Sequence, residues 1–312
     1  MSTTPGTVYD AVLCVGPHHR EISLIAIRSL LRFTTARRVL VMTSRDHFPF
    51  VQGSLEAHLP VHLLDEDEVI EGITLPAIQK YLTTRSKPPA RAGWYFQQFL
   101  KMSISRRPDL ADHYLIWDSD TVALRALRFF DSDGRTLVNP KTEHLQPYFQ
   151  LIRALLGIER QVNFSFISEH LMVNRTYMLE LIGELSGDSP EGRLWPWRIL
   201  DAIDDQHLAG SGFSEYETYG NFIAARHPDS FRCRPLQSTR NATVHFGAVP
   251  DRYAIHYLMS AGHAFATFEI TAPQIKWLIA LNRMLARALD ACSSIVSRGR
   301  EQRDAATELC GS

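Results

Sequence analysis

The sequence is poor in cysteine and contains no long apolar run. Its 312 residues include only 4 cysteines, which are scattered and form no C-x-x-C pair, so neither a disulfide framework nor a cysteine-based metal site is indicated. No apolar segment approaches the ~20 residues of a membrane span, and the first residues lack the pattern of a signal peptide. We therefore expect a cytoplasmic protein with reduced thiols.

The sequence also lacks an excess of charge of either sign. The formal net charge is -1, so nothing indicates the basic surface that binds nucleic acid. Two phosphate-binding motifs are absent: no G-x-G-x-x-G follows the first apolar run, and no G-x-x-x-x-G-K-[ST] occurs anywhere. We expect a small-molecule ligand and no nucleic-acid partner, and any phosphates on that ligand must be held by other groups.

Short apolar runs alternate with segments of helical periodicity. Runs of strand length lie at residues 9–15, 38–42 and 61–64. This alternation predicts an α/β fold with a mostly parallel central sheet flanked by helices. We predict a single domain over residues 1–270, a C-terminal helix over 271–298, and a polar tail over 299–312 that we expect to be disordered.

The most informative stretch is an apolar run, residues 114–117, that ends in Asp118, Ser119 and Asp120. Two carboxylates at i and i+2 point the same way on an extended chain and can both reach one hard cation. Ligands of open α/β sheets also collect at the carboxyl ends of strands. A D-x-D can equally be a simple turn, which is our interpretation of the second one at residues 131–134, but the strand favours a metal site at the first.

The segment just before this strand predicts an amphipathic helix. Residues 93–102 place aromatic and aliphatic side chains on one face, with Gln97, Gln98 and Lys101 on the others. These polar residues either face solvent or supply hydrogen-bonding groups to a ligand site. The sequence leaves both interpretations open.

Two further clusters of polar residues have the same ambiguity. Glu169 and His170 interrupt an apolar tract, so they either satisfy one another in the core or face a ligand. Ser214 before Glu215 and Glu217 fits a helix cap. However, the carboxylates and tyrosines concentrated in this segment are also typical of a polar pocket wall.

A late apolar run, residues 243–246, is predicted as a short strand that ends in His245, Phe246 and Gly247. A histidine in this position is either a satisfied core residue or a ligand for a divalent metal. Gly247 would allow the backbone to approach a phosphate closely.

Four segments in this order resemble the GT-A fold glycosyltransferases, in particular a group of bacterial transferase-like proteins. The segments are GWYFQQFLKM (93–102), YLIWDSDTV (114–122), FISEHLMVNR (166–175) and SEYETYGNF (214–222). The resemblance runs from the first strand to about residue 250. It implies a GT-A-like catalytic domain that transfers a sugar from a nucleotide-sugar donor to a glycan or lipid-linked acceptor, in the biosynthesis of surface polysaccharide.

The resemblance also implies roles for individual residues. Asp118 and Asp120 would bind Mn²⁺ or Mg²⁺ against the diphosphate of the donor. The loop of Pro17, His18, His19 and Arg20 would hold the base and ribose. His245 would be a third metal ligand, although the Lys-Pro-Trp that follows this histidine in several retaining families is missing here. The other residues expected to contact the donor are Gln97, Gln98, Lys101, Ser119 and Gly247.

The reaction itself leaves alternatives open. If the anomeric configuration inverts, a carboxylate must deprotonate the acceptor hydroxyl, and Glu215 or Glu217 is our candidate, with His170 also placed in the catalytic group. If the configuration is retained, no such base is needed. A sugar nucleotidyltransferase and a non-catalytic carbohydrate- or nucleotide-binding protein remain alternatives, and peripheral membrane attachment and the oligomeric state stay open.

Overall fold

The computed structural model describes residues 7–187, 194–269, 274–293 and 298–310. Its strands are β1 (Tyr9–Cys14), β2 (Val39–Thr43), β3 (Val61–Asp65), β4 (His113–Trp117), β5 (Thr121–Ala123), β6 (Thr136–Val138), β7 (His170–Asn174), β8 (Phe231–Cys233), β9 (Ser238–Thr239) and β10 (Phe265–Thr267).

Helices flank these strands. They are α1 (Arg20–Phe33), α2 (Phe48–Ser54), α3 (Leu75–Thr84), α4 (Ala92–Ser103), α5 (Gln146–Leu156), α6 (Arg175–Ser186), α7 (Trp195–Ala202), α8 (Asp205–Leu208), α9 (Glu215–Arg226), α10 (Ala242–Phe246), α11 (Arg252–Ser260), α12 (Lys276–Ser293) and α13 (Arg298–Cys310). Short 3-10 turns also occur, and the one at Pro17–His19 links β1 to α1.

The central sheet has five strands in the order β3-β2-β1-β4-β7. β1 to β4 run parallel, and only β7 is antiparallel to its neighbour β4. Smaller sheets of β5-β10-β9 and β6-β8 lie beside it. The predicted α/β architecture, a mostly parallel sheet with helices around it, is confirmed.

The sheet is buried on both faces, which explains why its strands are continuous apolar runs rather than alternating ones. Every residue of β1 and β2 is buried, and so are four of the five residues of β4. One face packs mainly against α3, α4, α6 and α7, while the other packs against α1 and the β5–β10 pair. Burial leaves polar residues only at strand ends, so a site must form there.

The C-terminal part differs from the sequence-based expectation. α12 lies within the predicted helix 271–298, of which residues 271–273 and 294–297 are outside the described residues. Residues 298–310 form a second helix, α13, where we expected a disordered tail. Ala305, Ala306 and Leu309 of α13 are buried against α1 and α11. The sequence pattern did not predict this helix, because most of its residues are polar and only one narrow side is apolar.

The run at residues 243–246 also differs from its predicted strand. It forms the short helix α10, which ends at Gly247 with φ +86°. In the described part of the chain, no helix is long and apolar enough to cross a membrane. The cysteines with described side chains, Cys14, Cys233 and Cys310, are free thiols.

Candidate active site

A cleft of about 520 Å³ lies at the carboxyl edge of the central sheet. It is lined by the D-x-D after β4, by His18 and His19 of the turn after β1, by α4 and by the start of α9. The carboxyl ends of adjacent parallel strands are where ligand sites of open α/β sheets occur.

The helix α4 lines the cleft with one continuous face. Trp94, Gln97, Gln98 and Lys101 all face the cleft, and their spacing of i, i+3, i+4 and i+7 places them on the same side of a helix. Gln98 is fixed at both ends of its amide, because it donates to the carbonyl of Trp94 and accepts from the backbone N–H of Glu215. The opposite face of α4 is apolar and buried in the core.

A buried ion-pair cluster lies at the deep end of this face. The ammonium of Lys101 donates to Asp118 Oδ1 at 2.7 Å and to Glu215 Oε1 at 2.9 Å. The hydroxyl of Tyr216 donates to the same oxygen of Asp118 at 3.0 Å. Burial alone would lower the pKa of Lys101, but Asp118 and Glu215 raise it well above its usual range. Lys101 therefore stays charged and holds both carboxylates in place.

Asp120 has a different environment from Asp118. Its side chain is only 16% exposed, and its nearest basic partner is His19, whose Nε2 lies 3.9 Å from Asp120 Oδ2. Burial lowers the pKa of His19, so this partner is mostly neutral at pH 7. Burial, together with Asp118 and Glu269, raises the pKa of Asp120 to about 7. Asp120 is thus a half-buried carboxylate whose ion-pair partner, His19, is not a permanently charged residue.

The far wall of the cleft carries a second charge cluster around Arg240. Its guanidinium donates to Glu269 Oε1 at 2.5 Å and to Glu143 Oε2 at 2.9 Å, and all three residues line the cleft. Glu169 also lies near this cluster, with its Oε1 3.9 Å from Arg240 Nε. Burial raises the pKa of Glu169 to about 7.

Glu169 also holds an unusual backbone conformation. Its φ of 62° lies in the left-handed region, where a residue with a Cβ is strained and where strain concentrates at functional sites. In this conformation its carbonyl accepts the N–H of Asp118 at 3.0 Å. The strained turn therefore fixes the start of the D-x-D loop.

The other end of the cleft is aromatic. Arg91 stacks over the ring of Trp94 at 3.8 Å from the ring centroid, and its Nε donates to the carbonyl of Gly210. Tyr148 lines the same end. An aromatic face beside hydrogen-bonding groups suits a sugar ring, which has both apolar C–H faces and polar hydroxyl edges.

The structure brings many of the sequence-predicted site residues together. Those that line the cleft are His18, Gln97, Gln98, Lys101, Asp118, Ser119, Asp120 and Glu215. Those that do not line it are Pro17, Arg20, His170, Glu217, His245 and Gly247. Pro17 and Arg20 flank the cleft-lining histidines but are themselves exposed to solvent.

Glu215 and Glu217 point in different directions because both belong to the first turn of α9. Residues two apart on a helix lie on nearly opposite sides. Glu215 faces the cleft, whereas Glu217 is buried, accepts a hydrogen bond from Ser165, and accepts another from Asn221 Nδ2 at 3.2 Å. The predicted cap is present as well, since Ser214 accepts the N–H of Glu217.

His170 lies in the core rather than in the cleft. Its ring packs 5.2 Å from that of Trp117 and 4.9 Å from that of Phe265. Burial lowers the pKa of His170 to about 3, so the ring is neutral. The structure thus favours the core interpretation for this histidine.

His245 and Gly247 lie outside the cleft because residues 243–246 are helical. His245 is exposed on α10, and its carbonyl accepts from Asn282 of α12. Gly247 ends α10 beside the side chains of Arg283 and Ile279. Within the described residues, no three His, Cys, Asp or Glu side chains converge as a metal site would require.

Several cleft residues were not identified from the sequence. Trp94 could have been identified from helical spacing, because it lies seven positions before Lys101 on the same helix face. No sequence pattern points to Arg240 or Glu269, because each lies in a connection far along the chain from the D-x-D. β10 pairs with β5, which directly follows the D-x-D, and this pairing carries Glu269 to the cleft.

The family model described as "Family of unknown function (DUF6492)" matches residues 20–245. This range covers most of the chain, and the chain belongs to this family. The cleft residues from Arg91 to Arg240 all lie within it. No curated protein matches the sequence.

Solved structures with a similar fold include three glycosyltransferases. Mouse xyloside xylosyltransferase 1 is 12% identical, with a TM-score of 0.47 over 86% of this chain and 100% of that one. The bifunctional glycosyltransferase WbbM is 11% identical, with a TM-score of 0.45 over 92% of this chain, which spans 52% of the length of WbbM. The galactosyltransferase LgtC, in complex with donor and acceptor sugar analogs, is 10% identical, with a TM-score of 0.44 over 94% of this chain and 99% of that one.

Proposed function

We propose that the protein is a metal-dependent glycosyltransferase of the GT-A type, which transfers a sugar from a nucleotide-sugar donor to a glycan or lipid-linked acceptor in this cleft. One observation carries the proposal. Asp118 and Asp120 face the cleft together at the end of β4, and the ion-pair partner of Asp120 is His19, which is not a permanently charged residue. Such a pair suits a divalent cation, which binds through oxygen ligands.

The charge balance of the cleft supports a bound cation. Its lining includes the carboxylates of Asp118, Asp120, Glu143, Glu215 and Glu269 against the permanently positive side chains of Arg91, Lys101 and Arg240. This excess of negative charge would repel a nucleoside diphosphate. A divalent cation held by Asp118 and Asp120 would neutralise the excess and stabilise the charge that develops on the leaving diphosphate.

The hydrogen bonds of Asp118 are compatible with this role. Lys101 and Tyr216 both bond to Oδ1, so the other carboxylate oxygen remains for a cation. Lys101 supplies fixed positive charge beside the position of the diphosphate and keeps Asp118 oriented. Two carboxylates alone are a sparse ligand set, and the remaining ligands would be oxygens of the substrate and of water.

For an inverting reaction, Glu215 is the better placed of the two candidate bases. It lines the cleft, whereas Glu217 is bonded within the core. Burial raises the pKa of Glu215 while Lys101 opposes that rise, and a raised pKa makes a carboxylate a stronger base toward the proton of an acceptor hydroxyl.

The aromatic end of the cleft would take the sugar ring of the acceptor. From Trp94 to Lys101 the helix α4 rises about 10 Å, which is long enough for two neighbouring sugar rings. In this arrangement, the donor diphosphate lies near Lys101 and the D-x-D, and the acceptor stacks near Arg91, Trp94 and Tyr148.

A ligand-dependent thermal unfolding screen tests the proposal. The parent, D120N and the control D133N are heated with a panel of nucleoside diphosphates in Mn²⁺, Mg²⁺ or EDTA. We expect one diphosphate to stabilise the parent only with metal, by about 2.7 kcal/mol at a hundredfold excess over Kd. D133N, which alters the exposed second D-x-D, should behave as the parent, and D120N should lose the effect.

Two results would contradict the proposal. No stabilisation of the parent by any diphosphate would favour a non-catalytic carbohydrate-binding protein. Release of pyrophosphate from a nucleoside triphosphate and a sugar phosphate would identify a nucleotidyltransferase. If a diphosphate binds, consumption of the matching nucleotide sugar with and without candidate acceptors then measures turnover.

A further inference from the structure

The helix α12 exposes an apolar stripe, which we define as Trp277, Leu281, Met284 and Leu285. Their spacing of i, i+4, i+7 and i+8 places them on one face of the helix. Trp277 is 69% exposed, Met284 is 67% exposed and Leu285 is 52% exposed. Side chains of this size are rarely exposed in a continuous row unless the surface binds something.

The side of α12 that faces the protein is mixed, with Leu278 and Ile279 beside Asn282 and Arg283. Asn282 donates to the carbonyl of His245, and Arg283 donates to the carbonyl of Phe246 at 3.0 Å. These bonds anchor α12 on α10. They fix the rotation of the helix about its axis, so the stripe is directed away from the protein.

The charged residues of α12 before Asp290 are all basic. Between residues 274 and 289 the sequence contains Lys276, Arg283 and Arg287 and no aspartate or glutamate. Lys276 and Arg287 lie along the same flank of the stripe on a helical projection. The side chain of Arg287 is 60% exposed, and its Nη2 lies 3.9 Å from Asp251 Oδ2. At this distance the carboxylate neutralises the charge of Arg287 only in part.

We propose that the stripe and its basic flank dock α12, lying flat, onto an anionic lipid surface. An amphipathic helix with tryptophan and leucine on one face and basic residues beside it is the arrangement that inserts into the lipid headgroup region, and tryptophan is favoured there. A second copy of the chain fits less well, because a two-fold contact through the stripe would bring the two basic flanks together.

The cleft and the stripe are connected through α10. Arg240 lines the cleft and lies two residues before α10, and α10 packs against α12. If the proposed function is correct, a lipid-linked acceptor could enter from the membrane. The docking itself does not depend on that function and can be tested without turnover.

Vesicle co-sedimentation of the full chain tests the docking. The vesicles contain phosphatidylcholine alone or phosphatidylcholine with phosphatidylglycerol. We expect binding to the anionic vesicles, weaker binding to the neutral ones, and release by high salt. The variant W277S/L285S should bind about tenfold or more weakly, because the burial of two large apolar side chains is lost. K276E/R287E should also lose binding to anionic vesicles.

The control is L179S, which removes an exposed leucine of α6, far from the stripe in the chain, and should bind as the parent does. The proposal is wrong if the parent binds neither vesicle, or if W277S/L285S binds as well as the parent. It is also wrong if light scattering shows a dimer that W277S/L285S abolishes, since the stripe would then join two copies. Metal-dependent stabilisation by a nucleoside diphosphate should be unchanged in every variant, which separates this test from that of the proposed function.

Discussion

Replacing Asp120 by asparagine should stabilise the metal-free protein at alkaline pH while it removes metal-dependent donor binding. Burial and the neighbouring carboxylates raise the pKa of Asp120 from its ordinary 3.8 to about 7. The folded protein therefore keeps this proton at pH values where the unfolded chain has released it. The free energy of unfolding consequently falls as the pH rises between these two pKa values.

The magnitude follows from the size of the pKa shift. A difference of about 3 pKa units corresponds to a destabilisation of roughly 4 kcal/mol above pH 7, and of only about 1 kcal/mol near pH 4.5. The asparagine of D120N does not titrate, so its own effect on packing is the same at both pH values. Relative to the parent, the stability of D120N should thus increase by roughly 3 kcal/mol from about pH 4.5 to about pH 8.

The assay is urea unfolding of the parent, D120N and D133N in EDTA at a series of pH values. Comparing each variant with the parent at the same pH cancels the titration of the groups that do not interact with the substituted residue. D133N should show no such trend, because Asp133 is 60% exposed. A difference between D120N and the parent that stays constant within about 1 kcal/mol across this range would refute the assignment of Asp120 as a destabilised, buried carboxylate.

Three further predictions concern Lys101, Glu215 and Glu217. Lys101→Met should lower the free energy of unfolding at neutral pH by about 3 kcal/mol, because it leaves the buried carboxylate of Glu215 and the half-buried carboxylate of Asp118 without their countercharge; a loss below about 1 kcal/mol by urea unfolding would contradict the ion-pair cluster. Glu215→Gln should leave metal-dependent donor binding intact and reduce kcat by about a hundredfold or more if Glu215 is the base. Glu217→Gln should instead lower the free energy of unfolding by about 1–3 kcal/mol, because it disturbs buried hydrogen bonds, and kcat should be unchanged. A loss of kcat in Glu217→Gln but not in Glu215→Gln would identify Glu217 as the base.

The sequence determined the features that depend on short-range pattern. Apolar runs of strand length alternating with helical periodicity were sufficient for the α/β sheet, because strands buried on both faces must be apolar throughout. The position of Asp118 and Asp120 at a strand end followed from the same burial. The face of α4 that carries Gln97, Gln98 and Lys101 followed from helical spacing alone.

A misassigned element explains why His245 lies outside the cleft. Residues 243–246 are too short an apolar run to distinguish a strand from one helical turn, and the helical conformation places His245 on the surface. Glu215 and Glu217 follow the predicted helix cap, and their spacing of two on a helix separates them. His170 and Glu169 are adjacent in the sequence but have different environments. The ring of His170 packs among aromatic side chains, whereas the carboxylate of Glu169 lies near Arg240. No local sequence pattern distinguishes these two environments.

Only the tertiary structure decided which distant residues complete the site and what their charges do. The pairing of β10 with β5 carries Glu269 to the D-x-D, and α9 brings Glu215 to Lys101. The pKa of Asp120 depends on burial and on carboxylates contributed by separate elements. The sequence alone therefore placed Asp118 and Asp120 at a strand end and Lys101 on the helix before it, because apolar burial and helical spacing follow local patterns. The charge balance that suits a divalent cation arises from long-range contacts, and only the folded chain contains them.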